Sequence, residues 1–181
     1  MRDAQASFRA ILDATAHPGR IVGLPAASAG APLGPAATAI ALTLCDIDTP
    51  VWLDVAAAPA AQYLAFHCGA PLAPDLSEAR FAFIGNPAGL PPLEEFAPGS
   101  DEYPERSATL VIEVGGLAQG SGVRLAGPGI RGETGLGVVG LPTRFWAERA
   151  ALSELFPRGL DVLFVSGRDL AALPRSTRIV G

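Results

Sequence analysis

The 181-residue chain carries thirteen basic residues, every one an arginine, against eighteen acidic ones, for a net charge of -5. Without lysine it has no amine for a Schiff base to pyridoxal phosphate or a carbonyl substrate, and none for a lysine-bearing P-loop. The acidic balance argues against a nucleic-acid partner, and a 49% hydrophobic fraction is ample for the core of a single domain spanning residues 1–181.

Phe8, Ile11, Leu12 and Thr15 recur at helical spacing, so residues 3–15 are predicted to form an amphipathic helix with Asp3 as its N-cap. His17-Pro18-Gly19 stops it. Residues 20–24 read as a strand and 25–34 as a small-residue loop. Pro35 suits the first turn of a helix to about Cys45 that is apolar on nearly every side, hence buried. After a polar turn at 46–50, residues 51–53 read as a strand, 60–67 as a helix and 80–84 as a strand. Residues 86–105 form a long Pro/Gly-rich loop with one helical turn at 93–96, of the kind that tends to be functional or mobile. Residues 108–114 are a strand, with 123–126 returning as a hairpin, and glycines crowd 127–140. Thr143 is expected to cap a helix to about Phe156. The continuous apolar run 160–165 suits a strand buried on both faces, and 170–179 a final strand or hairpin. The pattern predicts an α/β fold with a mixed sheet sandwiched by helices.

Two strings spell a dinucleotide fingerprint, residues 127–132 and 135–140, but the first runs into more glycine and the second lacks a leading strand. A plain glycine turn fits both better. Asp46 and Asp48 flank one turn, where two carboxylates could hold a cation or act as acid and base, or simply form an Asx turn. His17 precedes a proline at a helix end, where an imidazole often satisfies carbonyls. His67 and Cys68 are neighbours that point apart, so no metal site is expected, and Cys45 and Cys68 do not make a disulfide scaffold. Arg175 and Arg178 could clamp an anion or lie on a solvated strand. Six arginines fall from Arg144 onward while Glu94, Glu95, Asp101, Glu102 and Glu105 gather mid-chain, a polarity that would suit a partner surface or an anion site. No apolar run approaches the ~20 residues of a membrane span, and no signal peptide is read at the start. A soluble cytoplasmic protein is expected, without membrane partners.

The strings HPGRIV (17–22), DIDTPVW (46–52), VRLAGPGI (123–130), FPRGLD (156–161) and LPRST (173–177), in order along nearly the full length, resemble the H subunits of the bacterial carbon–phosphorus lyase core complex. The resemblance implies a fold similar to the large domain of PLP-dependent transferases, without cofactor, and the missing lysine agrees, since no pyridoxal Schiff base is possible. It implies G, I and J subunits as partners, a homodimer when isolated, and an accessory role in forming alpha-D-ribose 1-methylphosphonate 5-triphosphate from ATP and phosphonate. Candidate functional or interface residues within these strings and the further matching stretch AFHCGAPL (65–72) are His17, Arg20, Asp46, Asp48, His67 and Arg175, and structural use is the expectation for most. The alternative is a self-sufficient nucleotide- or phosphonate-binding enzyme using the glycine loops (127–140) with Arg131 or Arg175 as clamps.

Overall fold

The computed structural model describes residues 2–25 and 32–180. Most of the loop predicted at 25–34 lies outside the described residues, as does the Asp3 side chain. The first helix is already running at Arg2, so Asp3 is not its N-cap. The helices are α1 (Arg2–Ala16), α2 (Pro35–Leu44), α3 (Ala61–His67) and α4 (Phe145–Leu152). The strands are β1 (Ile21–Gly23), β2 (Val51–Leu53), β3 (Phe81–Ile84), β4 (Thr109–Glu113), β5 (Gly116–Ala126), β6 (Thr134–Val139), β7 (Asp161–Ser166), β8 (Asp169–Leu173) and β9 (Arg178–Val180).

The main sheet has the order β1-β8-β7-β4-β3-β2. β2, β3, β4 and β7 run parallel, and β8 and β1 join antiparallel, so the sheet is mixed as expected. β7 explains its own apolar run. Leu163 and Val165 face a core shared with α1, α2 and α3, while Val162 and Phe164 face a second core on the other side. Period-2 alternation on a strand with two buried faces leaves no polar position between Asp161 and Ser166 at its ends. α2 packs through Ala36, Ala37, Ile40 and Ala41, all essentially inaccessible; small side chains let it lie close to both α1 and the sheet.

Helices lie on both faces as expected, but only one face is covered by helices alone. The other face is covered by α4, by the 86–107 segment and by a small antiparallel sheet, β6-β5-β9. This second sheet corrects several sequence readings. Residues 108–114 and 123–126 are not a hairpin. β5 is one long strand whose register shifts between Gln119 and Val123, and it pairs with β6, the stretch read as crowded glycine turns. Residues 170–179 split into β8 in the main sheet and β9 in the small one. The long loop is not loose: Leu90, Leu93 and Phe96 are buried, each 2% exposed or less, and three short 3-10 turns punctuate it. Thr143 does not cap α4, whose N-cap position is Arg144 with no side-chain cap bond.

Candidate functional site

α1 holds two apolar stripes. Ser7, Ile11 and Ala14 are buried against α2 and the sheet, whereas Phe8 and Leu12, one turn apart, are 46% and 52% exposed. The sequence stripe thus mixed an inward row with an outward one. Leu42 near the end of α2, Ile47 in the following turn and Phe66 on α3 also stand out from the helical layer. A hollow lined by Ala4, Gln5, Phe8, Arg9 and Thr43 joins the α1 ridge to α2, and Ile47 abuts Gly69 at the end of α3.

The six polar candidates do not meet in one place. His17 and Arg20 sit together after α1. His17 Nδ1 lies 3.0 Å from the Asp13 carbonyl oxygen and 3.1 Å from its carboxylate, the expected helix-end cap, and Arg20 pairs with the same carboxylate at 3.2 Å. Asp46 forms an Asx turn, accepting from Asp48 N–H at 3.0 Å and Thr49 Oγ1 at 2.6 Å. Asp48 itself reaches a hollow on the far side, with Arg80 and Glu105. His67 lies exposed at the end of α3, its ring 4.3 Å from that of Tyr63 and 4.9 Å from that of Phe66. Neighbouring Cys68 points elsewhere, its Sγ 3.6 Å from the Ala41 carbonyl. Arg175 is locked in place: its backbone N–H and guanidinium both donate to Asp161, at 2.7 and 2.6 Å, and the guanidinium also reaches the Pro104 carbonyl.

The late arginines do not form a free cationic surface. Arg144 pairs with Glu148 at 2.7 Å, Arg158 with Asp101 at 3.1 Å and Arg175 with Asp161, while Arg168 donates to the Leu24 carbonyl at 2.9 Å. The Glu148 carboxyl, which burial alone would push up, is held below its usual range by the Leu93 N–H and by Arg144. Arg149, invisible as special in the sequence, is 1% exposed and donates to Ser153 Oγ and the carbonyls of Pro174 and Thr177. Of the five mid-chain acids only Asp101 pairs with a late arginine, Arg158; the other late arginines but one are held by acids and carbonyls elsewhere in the fold, and Arg178 stands exposed without an ion pair among the described residues.

Neither glycine string opens a helix, which a dinucleotide fingerprint requires. Residues 127–132 make the turn between β5 and β6, and 135–140 are β6 and its exit. At Gly129, with φ of +81°, a side chain would run into the Ala16 carbonyl and lie 3.1 Å from Pro18, so glycine is needed for close packing on the HPG turn. The same turn abuts Ser176 and Thr177 from its other side. Three of the resembling strings, HPGRIV, VRLAGPGI and LPRST, thus converge. Beside them His17, Arg20, Gln119, Arg131 and Thr134 line a polar hollow of about 260 Å³. Among the described residues no three His, Cys, Asp or Glu side chains are grouped to hold a metal.

The model of a family described as bacterial phosphonate metabolism protein (PhnH) matches residues 1–180. The chain belongs to the PhnH family. Over 180 residues it is 43% identical to the alpha-D-ribose 1-methylphosphonate 5-triphosphate synthase subunit PhnH of Rhizobium meliloti (strain 1021), covering 98% of this chain and 90% of that protein. A shorter stretch of 81 residues is 43% identical to the putative C-P lyase subunit protein HtxG of Stutzerimonas stutzeri, covering 45% of this chain and 42% of that one. Among the described residues no helix is long and apolar enough to cross a membrane. For this PhnH-family chain, the feature that sequence reasoning missed is the outward apolar row on the helical layer. No local signal separates the two rows, because Phe8, Ile11, Leu12 and Thr15 have the i, i+3, i+4, i+7 spacing that normally shares one buried face.

Proposed function

We propose that this chain is an accessory subunit of a phosphonate-processing assembly. It supports formation of alpha-D-ribose 1-methylphosphonate 5-triphosphate from ATP and a phosphonate, and the chemistry is carried by partners equivalent to the G, I and J subunits. The observation that carries the reading is the set of exposed apolar side chains on the helical layer, Phe8 and Leu12 on α1, Leu42 on α2, Ile47 after it and Phe66 on α3, Ile47 and Phe66 being 74% and 82% exposed. Apolar surface gathered on one layer of a fold marks a contact face, and covering it returns roughly 25 cal/mol per Å². Both relatives are named as subunits, which agrees with a chain in which four of the six polar candidates, His17, Arg20, Asp46 and Arg175, are spent on turns, caps and internal ion pairs. In isolation the same face would hold two copies together as a homodimer. The reading places the chain in the cytoplasm, where ATP is present. It also takes the main sheet as kin to the large domain of PLP-dependent transferases, stripped of the lysine that would bind the cofactor.

The test is co-expression of the tagged chain with the G, I and J subunits of its own organism, followed by light scattering on what co-purifies. A stable hetero-oligomer is expected. Elution of the chain by itself, with all three partners expressed and soluble, would end this reading.

A further inference from the structure

Two sheets have four outer strands, and three of them are shielded. β2 is covered by residues 71–73: Val51 N–H donates to the Pro71 carbonyl and Ala73 N–H to the Val51 carbonyl, each at 2.8 Å. The Ile21 N–H of β1 donates to Gln119 Oε1 at 3.2 Å. β9 is three residues long and lies beside α4. β6 differs. Among the described residues, the backbone of Thr134–Val139 is hydrogen-bonded only on the side that faces β5 and Gly115. Its sequence, TGLGVV, carries no charge and no proline, and the register shift of the hairpin lies on β5 rather than on β6. Folds that keep an outer strand free usually blunt it with one of these devices, because unpaired N–H and C=O groups recruit another strand.

We propose that β6 is a docking edge that accepts an extended, acid-bearing segment of a partner subunit by strand addition. Main-chain hydrogen bonds would supply affinity, and the glycines at 135 and 137 are already packed on one face by the 118–121 stretch of β5, so the incoming segment meets β6 through its free edge. The acid follows from Arg131, which stands exposed just ahead of β6 with no carboxylate in ion-pair range among the described residues. A second copy of the chain does not supply that acid. Antiparallel self-pairing about Leu136 sets Arg131 against Leu141 and Glu133 against Val139, all without a complementary charge. The inference rests on the subunit reading, but it concerns a different surface from the helical face.

Amide hydrogen exchange, followed by mass spectrometry on peptides spanning 134–139, tests it in the isolated chain and in the co-purified assembly. The expected result is outward-facing amides that exchange quickly in the dilute chain and at least tenfold more slowly in the assembly. Arg131→Glu should weaken the assembly at least tenfold while leaving the melting temperature of the isolated chain unchanged. An intact assembly with unaltered exchange over 134–139 overturns the docking edge and leaves the subunit reading standing. Protection that grows with concentration of the isolated chain gives the edge to a second copy and overturns it as well. If no assembly forms, both readings fall together.

Discussion

Arg149 shows how much of this chain's charge is structural. Its guanidinium is surrounded by the Pro174 and Thr177 carbonyls and the Ser153 hydroxyl, with Nε left unpaired. Burial pushes its pKa down to about 10, and Asp161 acts in the opposite direction, so it stays charged at neutral pH. Arg149→Met keeps the apolar stem but takes the guanidinium donor from the buried Thr177 carbonyl, while the Pro174 carbonyl retains only the Thr177 N–H. A loss on the order of 2 kcal/mol is expected in urea unfolding with an unchanged m-value. Cys45 makes the complementary case. It is 7% exposed, and burial first, then the neighbouring Cys68 and Asp46, lift its thiol to about 12. In the unfolded chain the thiol ionises near 9, so between about pH 9 and pH 12 the unfolded state binds fewer protons than the folded one. The stabilisation is complete below pH 9 and is lost as pH rises through that window. Disulfide-exchange labelling at pH 8 should accordingly leave Cys45 unmodified until the chain unfolds; labelling at the native-state rate of an exposed thiol would contradict its burial.

At the scale of elements, the β5–β6 hairpin decides which glycines matter. Gly122 has φ of +75°, and a Cβ there would stand 2.6 Å from Gly137 Cα and 2.9 Å from its N. Gly122→Ala should therefore cost about 1–3 kcal/mol by chemical denaturation, combining backbone strain with the collision, whereas Gly132→Ala, with open space around it, should carry the conformational part alone. This hairpin is also where the sequence was least legible. β7, α2 and α3 announced themselves through a continuous apolar run, a proline start and a glycine stop. β6 did not, because glycine at alternate positions removes the period-2 hydrophobic signal on which strand assignment depends. The same masking made GLGVVG look like a nucleotide fingerprint. Among the polar candidates, the turn and cap readings of Asp46 and His17 followed from local sequence rules and are what the structure places there. Arg175 could not be read that way, since its partners Asp161 and Pro104 come from distant segments that only tertiary packing brings together. α1 lies between these cases: its helix was plain, but a pattern of Phe8, Ile11, Leu12 and Thr15 does not say which row turns inward. Burial of Ser7, Ile11 and Ala14 settles that, through contacts with α2 that no local rule anticipates.

For the molecule as a whole, the two cores and the helical exterior separate stability from association. Ile11 and Ala14 belong to the core beneath α1, so Ile11→Ala should lower stability by about 2–4 kcal/mol. Phe8 and Leu12, on the same helix, contribute little to that core and much to the outer face. Replacing both, as Phe8→Glu with Leu12→Ser, should leave the urea midpoint of the isolated chain within about 0.5 kcal/mol of the parent, the range of surface substitutions. On the subunit reading the same double variant loses most of its binding, because truncating apolar anchors at the centre of a contact commonly costs 2 kcal/mol or more. Two copies held together through this face would dissociate in the same variant, giving a monomer mass by light scattering. The two measurements pull apart what a single loss of function would blur. A variant that unfolds early says that Phe8 and Leu12 serve the core, contrary to their exposure; one that keeps its midpoint and still joins the assembly says that partners bind elsewhere. Only an unchanged midpoint together with lost association assigns the helical layer to contact.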